Sequence, residues 1–144
     1  RERRGLAYHV DAGHETFKDT GFFASSAGLK LEKVEEGLEV IVAELQRVAS
    51  EKVTDDELKK GKEIIRGRLA IRQESTNFLA EYFGTEYVLD RQVESFDDYL
   101  KKIDEVGADD IKEVAQELFV SERINLQIIG PFKDTTRFEK ILRR

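Results

Sequence analysis

The strongest constraint on the fold is a change in the spacing of apolar residues after residue 30. Along residues 34–48 they recur every three or four positions with charges between them, as in an amphipathic helix. Along residues 6–10 and 124–129 they alternate, which is typical of strands with one buried and one solvated face. A helical middle flanked by strands predicts a mixed fold. The helical stripe consists of Val34, Leu38, Ile41, Leu45 and Val48.

The first alternating segment belongs to a predicted hairpin. Tyr8 shares the parity of the apolar residues in segment 6–10, so it is expected to point towards the core. A turn signal follows at residues 18–21, and the β-forming and small residues of 22–30 suit a returning strand. Gly28 within that strand marks a candidate bulge.

Helix starts are marked by hydroxyl residues followed three positions later by a carboxylate. Thr54 with Glu57 fits a capping box, in which each side chain satisfies a free backbone N–H of the first turn. Ser95 with Asp98 predicts a second helix start of the same kind. The polar residues 74–77 interrupt the apolar pattern and predict a kink or a short break between helices.

These elements predict one α+β domain over residues 1–144. Its architecture is a two-layer sandwich in which helices pack on one face of a largely antiparallel sheet. The last strand covers residues 124–129 and stops at Gly130 and Pro131. Residues 133–144 are highly charged, and their pattern leaves open whether they are helical or frayed.

Composition excludes several classes of function. The formal net charge of -6 argues against a nucleic-acid partner, which needs a basic face, and no apolar run approaches the length of a membrane span. The absence of cysteine removes disulfides, thiolate catalysis and cysteine-ligated zinc, and it leaves the cellular compartment open. The chain starts with Arg1 and contains no methionine, so we expect it to begin inside a longer polypeptide.

The side chains that could carry chemistry have simpler explanations. His9 and His14 are five residues apart in a strand and turn, so their parities differ and we do not expect them to share a metal. Three carboxylate pairs each lie in a predicted first helical turn, where the free N–H groups and the helix dipole stabilise them. These pairs are Asp55-Asp56, Asp97-Asp98 and Asp109-Asp110. Neither a Ser-His-Asp order nor a phosphate-binding loop is present.

Several segments together resemble a known family. The chain opens with R-E-R-R-G-L-A-Y, in which an arginine and a tyrosine are separated by six residues at the start of a strand. Further matching segments lie at residues 54–69, 74–76 and 103–115. In this combination the chain is similar to the second, non-catalytic half-domain of the insulinase or pitrilysin family of zinc metallopeptidases, which includes the mitochondrial processing peptidase. Gly107 stands where the family commonly has a capping threonine, which weakens that cap.

The resemblance implies roles that the residues alone do not. By themselves, Arg1 and Tyr8 are best explained as a surface arginine and a half-buried strand tyrosine. In the family, side chains at these positions hold the substrate backbone near the zinc. The zinc itself is carried by a partner half with an H-x-x-E-H motif on a helix, a motif that this chain lacks. The resemblance therefore implies peptide binding at Arg1 and Tyr8, no metal bound by this chain, and no activity of the chain alone.

The resemblance also implies partners. A complete half-domain of the family begins with a further strand and helix, so the sheet is expected to be incomplete in this fragment. A zinc-bearing half-domain, on the same or a separate polypeptide, and a peptide substrate are the implied partners. The exposed sheet edge predicts an oligomer or an edge-paired dimer. Two alternatives are a catalytically inactive structural or partner subunit of the same family, and an unrelated α+β binding module.

Overall fold

The computed structural model describes residues 4–90 and 92–143, and it confirms the α+β class. The elements of these residues are one antiparallel sheet of two strands, six α-helices and two short 3-10 helices. The strands are β1 (Ala7–Thr16) and β2 (Gly21–Leu29). The α-helices are α1 (Val34–Ser50), α2 (Asp55–Arg72), α3 (Thr76–Asp90), α4 (Phe96–Glu105), α5 (Ala108–Leu118) and α6 (Thr136–Leu142). The 3-10 helices cover Leu31–Lys33 and Ser121–Arg123.

The two strands form the predicted hairpin, with its turn at the predicted place. The Phe17 N–H donates to the Thr20 carbonyl oxygen at 2.8 Å across the turn. β1 continues to Thr16, well beyond the predicted segment 6–10, because pairing with β2 orders a polar stretch that gives no alternation signal. Within the described ranges, neither outer edge of the hairpin pairs with a third strand.

A β-bulge interrupts the hairpin close to its open end. Ala7 lies opposite Leu29, whereas His9 lies opposite Gly28, so two consecutive residues of β2 face three residues of β1. Tyr8 is the additional residue. A bulge bends its strand and redirects the side chain that it carries. The bulge expected from Gly28 is therefore present, with Tyr8 as the unpaired residue.

The chain divides into two compact units, of which the first contains Arg1–Glu51 and Lys112–Arg144. Its core is a cluster formed by Leu38 and Val42 of α1 with Phe138 and Ile141 of α6, all of them buried. Residues 133–144, whose state the sequence left open, thus supply a helix and half of this core. The cluster is bordered by Val34, Ile128, Phe132 and Leu142.

The second unit, Lys52–Ile111, begins with the predicted capping box. The Thr54 Oγ1 accepts the Glu57 N–H at 3.2 Å, and the Glu57 carboxylate accepts the Thr54 N–H at 2.9 Å. Ser95 caps α4 in the predicted way, accepting the Asp98 N–H at 3.2 Å. The predicted break also occurs, because α2 ends at Arg72 and α3 starts at Thr76. These starts were predictable because each depends on residues three positions apart.

Aromatic contacts join α3 and α4 in the second unit. Phe96, the first residue of α4, lies 4.7 Å from Tyr82, 5.3 Å from Phe83 and 6.1 Å from Phe78 between ring centroids. These three partners belong to α3. The Arg72 guanidinium lies 4.2 Å from the centre of the Phe78 ring, a cation-π distance. Burial in this cluster raises the pKa of Tyr82.

The predicted strand at residues 124–129 is wrong for the described chain, where this segment forms no regular element. Its backbone starts out extended, with φ -77° and ψ 125° at Ile124, but no neighbouring strand pairs with it in residues 4–90 and 92–143. Ile128 packs on the core of the first unit, whereas Ile129 is 93% exposed. Leu126, which shares the parity of Ile128, is 37% exposed, so the alternation predicts burial only in part. A strand also needs a partner for its hydrogen bonds.

The described helices include none that is both long enough and apolar enough to cross a membrane.

Candidate functional site

The chain enters β1 through a glycine in the left-handed region. Gly5 has a φ of +58°, which strains any residue with a Cβ, although the space around it is open. Arg4 before it is exposed and forms a turn, and Leu6 after it is buried. This turn and the Leu6 anchor set the direction in which the chain approaches Tyr8.

Tyr8 points into solvent, which corrects the prediction that it leans towards the core. Its side chain is 67% exposed. The prediction assumed an unbroken alternation with one buried face, but the bulge at Tyr8 breaks the alternation, and residues 8–16 are exposed on both faces. The phenol hydroxyl is therefore available to an external partner, as a substrate-binding group must be. The one sequence signal for this was the glycine at position 28.

Arg1, the other predicted substrate-binding residue, lies outside the described residues, so its distance to Tyr8 stays untested. The first arginine among the described residues is Arg4. It lines a groove of about 240 Å³ together with Glu36, Glu39 and Glu44 of α1.

The two histidines lie on opposite faces of the hairpin. His9 pairs with Gly28 and His14 pairs with Phe23, and side chains five residues apart along a strand point in opposite directions. Phe23 contacts Phe119 at 5.2 Å, so the His14 face is the one that packs on the first unit. Neither histidine can share a ligand set with the other. The described ranges also contain no group of three or more His, Cys, Asp or Glu side chains that could hold a metal.

The carboxylate pairs act at helix starts and in ion pairs. Hydrogen bonds from Lys101 and Ser95 lower the pKa of Asp98. Asp110 accepts the Gly107 N–H at 2.7 Å, which supplies the carboxylate half of a capping box where glycine lacks the hydroxyl. Asp109 pairs with Lys52 at 2.7 Å. These contacts give the carboxylates structural partners of their own.

Comparison with known proteins identifies the family. The family model of the peptidase M16 inactive domain matches residues 1–65, which include the bulge and Tyr8. The chain is also 34% identical to an uncharacterized zinc protease of Streptomyces coelicolor over 134 residues, and this aligned stretch covers 93% of the chain. It is an insulinase-like M16 C-terminal domain. The sequence resemblance is thereby confirmed.

This M16 domain is similar to further bacterial zinc proteases. It is 30% identical over 131 residues to one of Rickettsia felis and 28% identical over 131 residues to one of Bacillus subtilis, in both cases 91% of this chain. The matches cover 29% of the Streptomyces protein, 31% of the Rickettsia protein and 32% of the Bacillus protein. The chain therefore spans about three tenths of the length of these relatives.

Proposed function

We propose that this M16 domain is the substrate-binding half of a zinc-dependent metalloendopeptidase. It acts together with a second half that carries the zinc on an H-x-x-E-H helix, while this chain binds no metal. The observation that carries the proposal is the exposed Tyr8 on a β-bulge, inside the segment that matches the family. An exposed aromatic residue held at a defined backbone irregularity is typical of a functional position.

Tyr8 and Arg1 supply hydrogen-bond donors without competing for a metal. A neutral phenol and a fixed guanidinium both stabilise negative charge that develops on the scissile carbonyl oxygen. The histidines do not fit a zinc site, because they lie on opposite faces of the hairpin. The proposal therefore assigns substrate binding to this chain and the metal chemistry to the partner half.

The hairpin supports the proposal that this chain has partners. Its outer edges carry backbone N–H and C=O groups that find no third strand within residues 4–90 and 92–143, and such edges can serve as templates for pairing with another chain. The proposed partners are the zinc-bearing half, the peptide substrate and, for the isolated chain, a second copy paired edge to edge. The last of these is testable, because the isolated chain should self-associate in sedimentation velocity at high concentration. A monodisperse monomer would contradict it.

The central experiment replaces Tyr8 in the polypeptide or complex that contains both halves. Tyr8→Phe removes one hydroxyl and leaves the ring, so thermal stability should be unchanged. Turnover of a cleaved peptide should fall by roughly 100- to 1,000-fold, the cost of losing one oxyanion donor. Arg1→Lys should also be harmful, because an ammonium group does not reproduce the planar guanidinium. Tyr87→Phe is the matched control, since Tyr87 is 58% exposed on α3.

The outcomes separate the two functions open to an M16 domain. A selective loss in the Tyr8 and Arg1 variants, with normal zinc content and normal melting temperature, supports the substrate-binding role. Full activity in both variants would refute it. If the zinc-loaded protein with both halves cleaves no peptide at all, the alternative of a catalytically inactive structural or partner subunit is favoured.

A further inference from the structure

A close contact between the hairpin and helix α1 lies next to the bulge at Tyr8. Leu29 is the last residue of β2 and lies opposite Ala7, immediately before the bulged Tyr8. Its side chain rests directly on Gly37 of α1, which is buried. A Cβ at Gly37 would lie 2.6 Å and 2.8 Å from the two Leu29 methyl carbons, far inside van der Waals contact. With glycine at position 37 the Leu29 methyl groups lie directly on α1, and an added Cβ would force them to move.

Other glycines near the bulge impose no such limit. A Cβ at Gly28 would come no nearer than 4.0 Å to the His9 nitrogen, which is an ordinary contact. Gly13 has open space around it, and the tight contact of Gly21 is with Glu15 at the far end of the hairpin. Glycine is a poor helix former, and among the helical glycines Gly37 is the one whose added Cβ would meet another side chain, that of Leu29.

We propose that Gly37 is a positioning residue for Tyr8. By seating Leu29 against α1, it fixes the end of β2, which fixes Ala7 through the strand pairing and thereby the bulge from which Tyr8 projects. The expected effect of Gly37 on cleavage rests on the proposed function. Its expected effect on the position of Tyr8 does not. Gly37 acts through Leu29 and the bulge, and it is assigned no contact with substrate.

The first test observes Tyr8 directly. The full-length protein is labelled with 3-fluorotyrosine, and the Tyr8 fluorine resonance is assigned by its loss in Tyr8→Phe. Gly37→Ala should shift or broaden this resonance. The resonances of Tyr82, Tyr87 and Tyr99 should stay in place, because these residues belong to the second unit.

The second test uses cleavage of an internally quenched peptide that the wild-type protein cleaves. Gly37→Ala should lower kcat by roughly 10- to 100-fold, the scale expected for a displacement of about 1 Å. In the Tyr8→Phe background the same change should have little further effect, because the hydroxyl that it displaces is already gone. Gly61→Ala is the matched control, since Gly61 is also in a helix and has nothing within 4 Å of its added Cβ.

The possible results either support or overturn the proposal. An unmoved Tyr8 resonance in folded Gly37→Ala protein would overturn it, and so would an equal loss of kcat with and without the Tyr8 hydroxyl. If Gly37→Ala does not fold, Leu29→Ala alone decides, because removing the seated side chain must also move the Tyr8 resonance. If Tyr8→Phe cleaves like wild type, the proposed function fails, and the fluorine spectra still decide whether Gly37 positions Tyr8.

Discussion

Replacing Phe138 by alanine should remove the largest side chain from the core of the first unit. Phe138 is 3% exposed and lies on α6, where it packs with Leu38 and Val42 of α1. Its ring meets Phe132 edge-on at 5.3 Å between centroids. The Arg137 guanidinium covers the same ring at 4.7 Å. The substitution therefore removes a buried apolar surface and two ring contacts at once.

The expected cost follows from these contacts. Burying a phenylalanine side chain stabilises by about 1.5–3 kcal/mol, and an aromatic pair adds about 0.5–1.5 kcal/mol. Their sum agrees with the roughly 3–5 kcal/mol that buried phenylalanine-to-alanine changes cost in other cores. We therefore expect Phe138→Ala to lower the free energy of unfolding by about 3–4 kcal/mol, a large share of the roughly 5–15 kcal/mol typical of a domain.

Urea denaturation followed by far-ultraviolet circular dichroism measures this cost. The matched control is Phe22→Ala, which removes the same atoms from a side chain that is 52% exposed on the hairpin. It should cost about 1 kcal/mol. With a urea dependence of roughly 2 kcal/mol per molar, the midpoints of the two variants should differ by about 1–1.5 M. Equal midpoints would refute the assignment of α6 to the core.

Two further predictions concern charge and metal. The hydrogen bond from Arg66 lowers the pKa of Asp104, so the ionised carboxylate adds stability above its unfolded pKa and loses this contribution as the pH falls through the folded pKa. Asp104→Asn should thus lower the urea midpoint at neutral pH and match wild type in strong acid. A difference in midpoint that stays the same at both pH values would contradict this. The isolated chain should bind no stoichiometric zinc at neutral pH, and calorimetry that detects one tight zinc site would disprove this.

The parts of the fold that the sequence predicted are those decided by near neighbours. The capping box of Thr54 and Glu57 and the Ser95 cap both depend on residues three apart, and both form as predicted. The hairpin turn at residues 18–21 is local in the same way. The helical stripe from Val34 also predicted α1 correctly, because a helix buries one face whatever it packs against.

The parts that the sequence could not predict depend on distant segments. Residues 124–129 have the alternation of a strand, but a strand forms only where a neighbour accepts its hydrogen bonds. The role of α6 in the core depends on α1, about a hundred residues earlier in the chain. The contact between Gly37 and Leu29 likewise cannot be predicted from the sequence pattern of α1 or of β2 alone, because it joins a helix to a strand.

The direction of the Tyr8 side chain also depends on contacts between distant segments, and it bears on the proposed function. A residue in an unbroken strand that shares the parity of buried neighbours would be half-buried, and a buried phenol cannot bind an external peptide. In this hairpin Tyr8 is the extra residue of the bulge, and both faces of β1 from Tyr8 to Thr16 are exposed. The register beside Tyr8 is set by pairing with Gly28 and Leu29 and, in our proposal, is held by the contact of Leu29 with Gly37. If Tyr8 binds substrate, selection on this site must act on residues that never touch the peptide. Substitutions at Gly37 or Leu29 should then impair cleavage while the tyrosine itself remains in place.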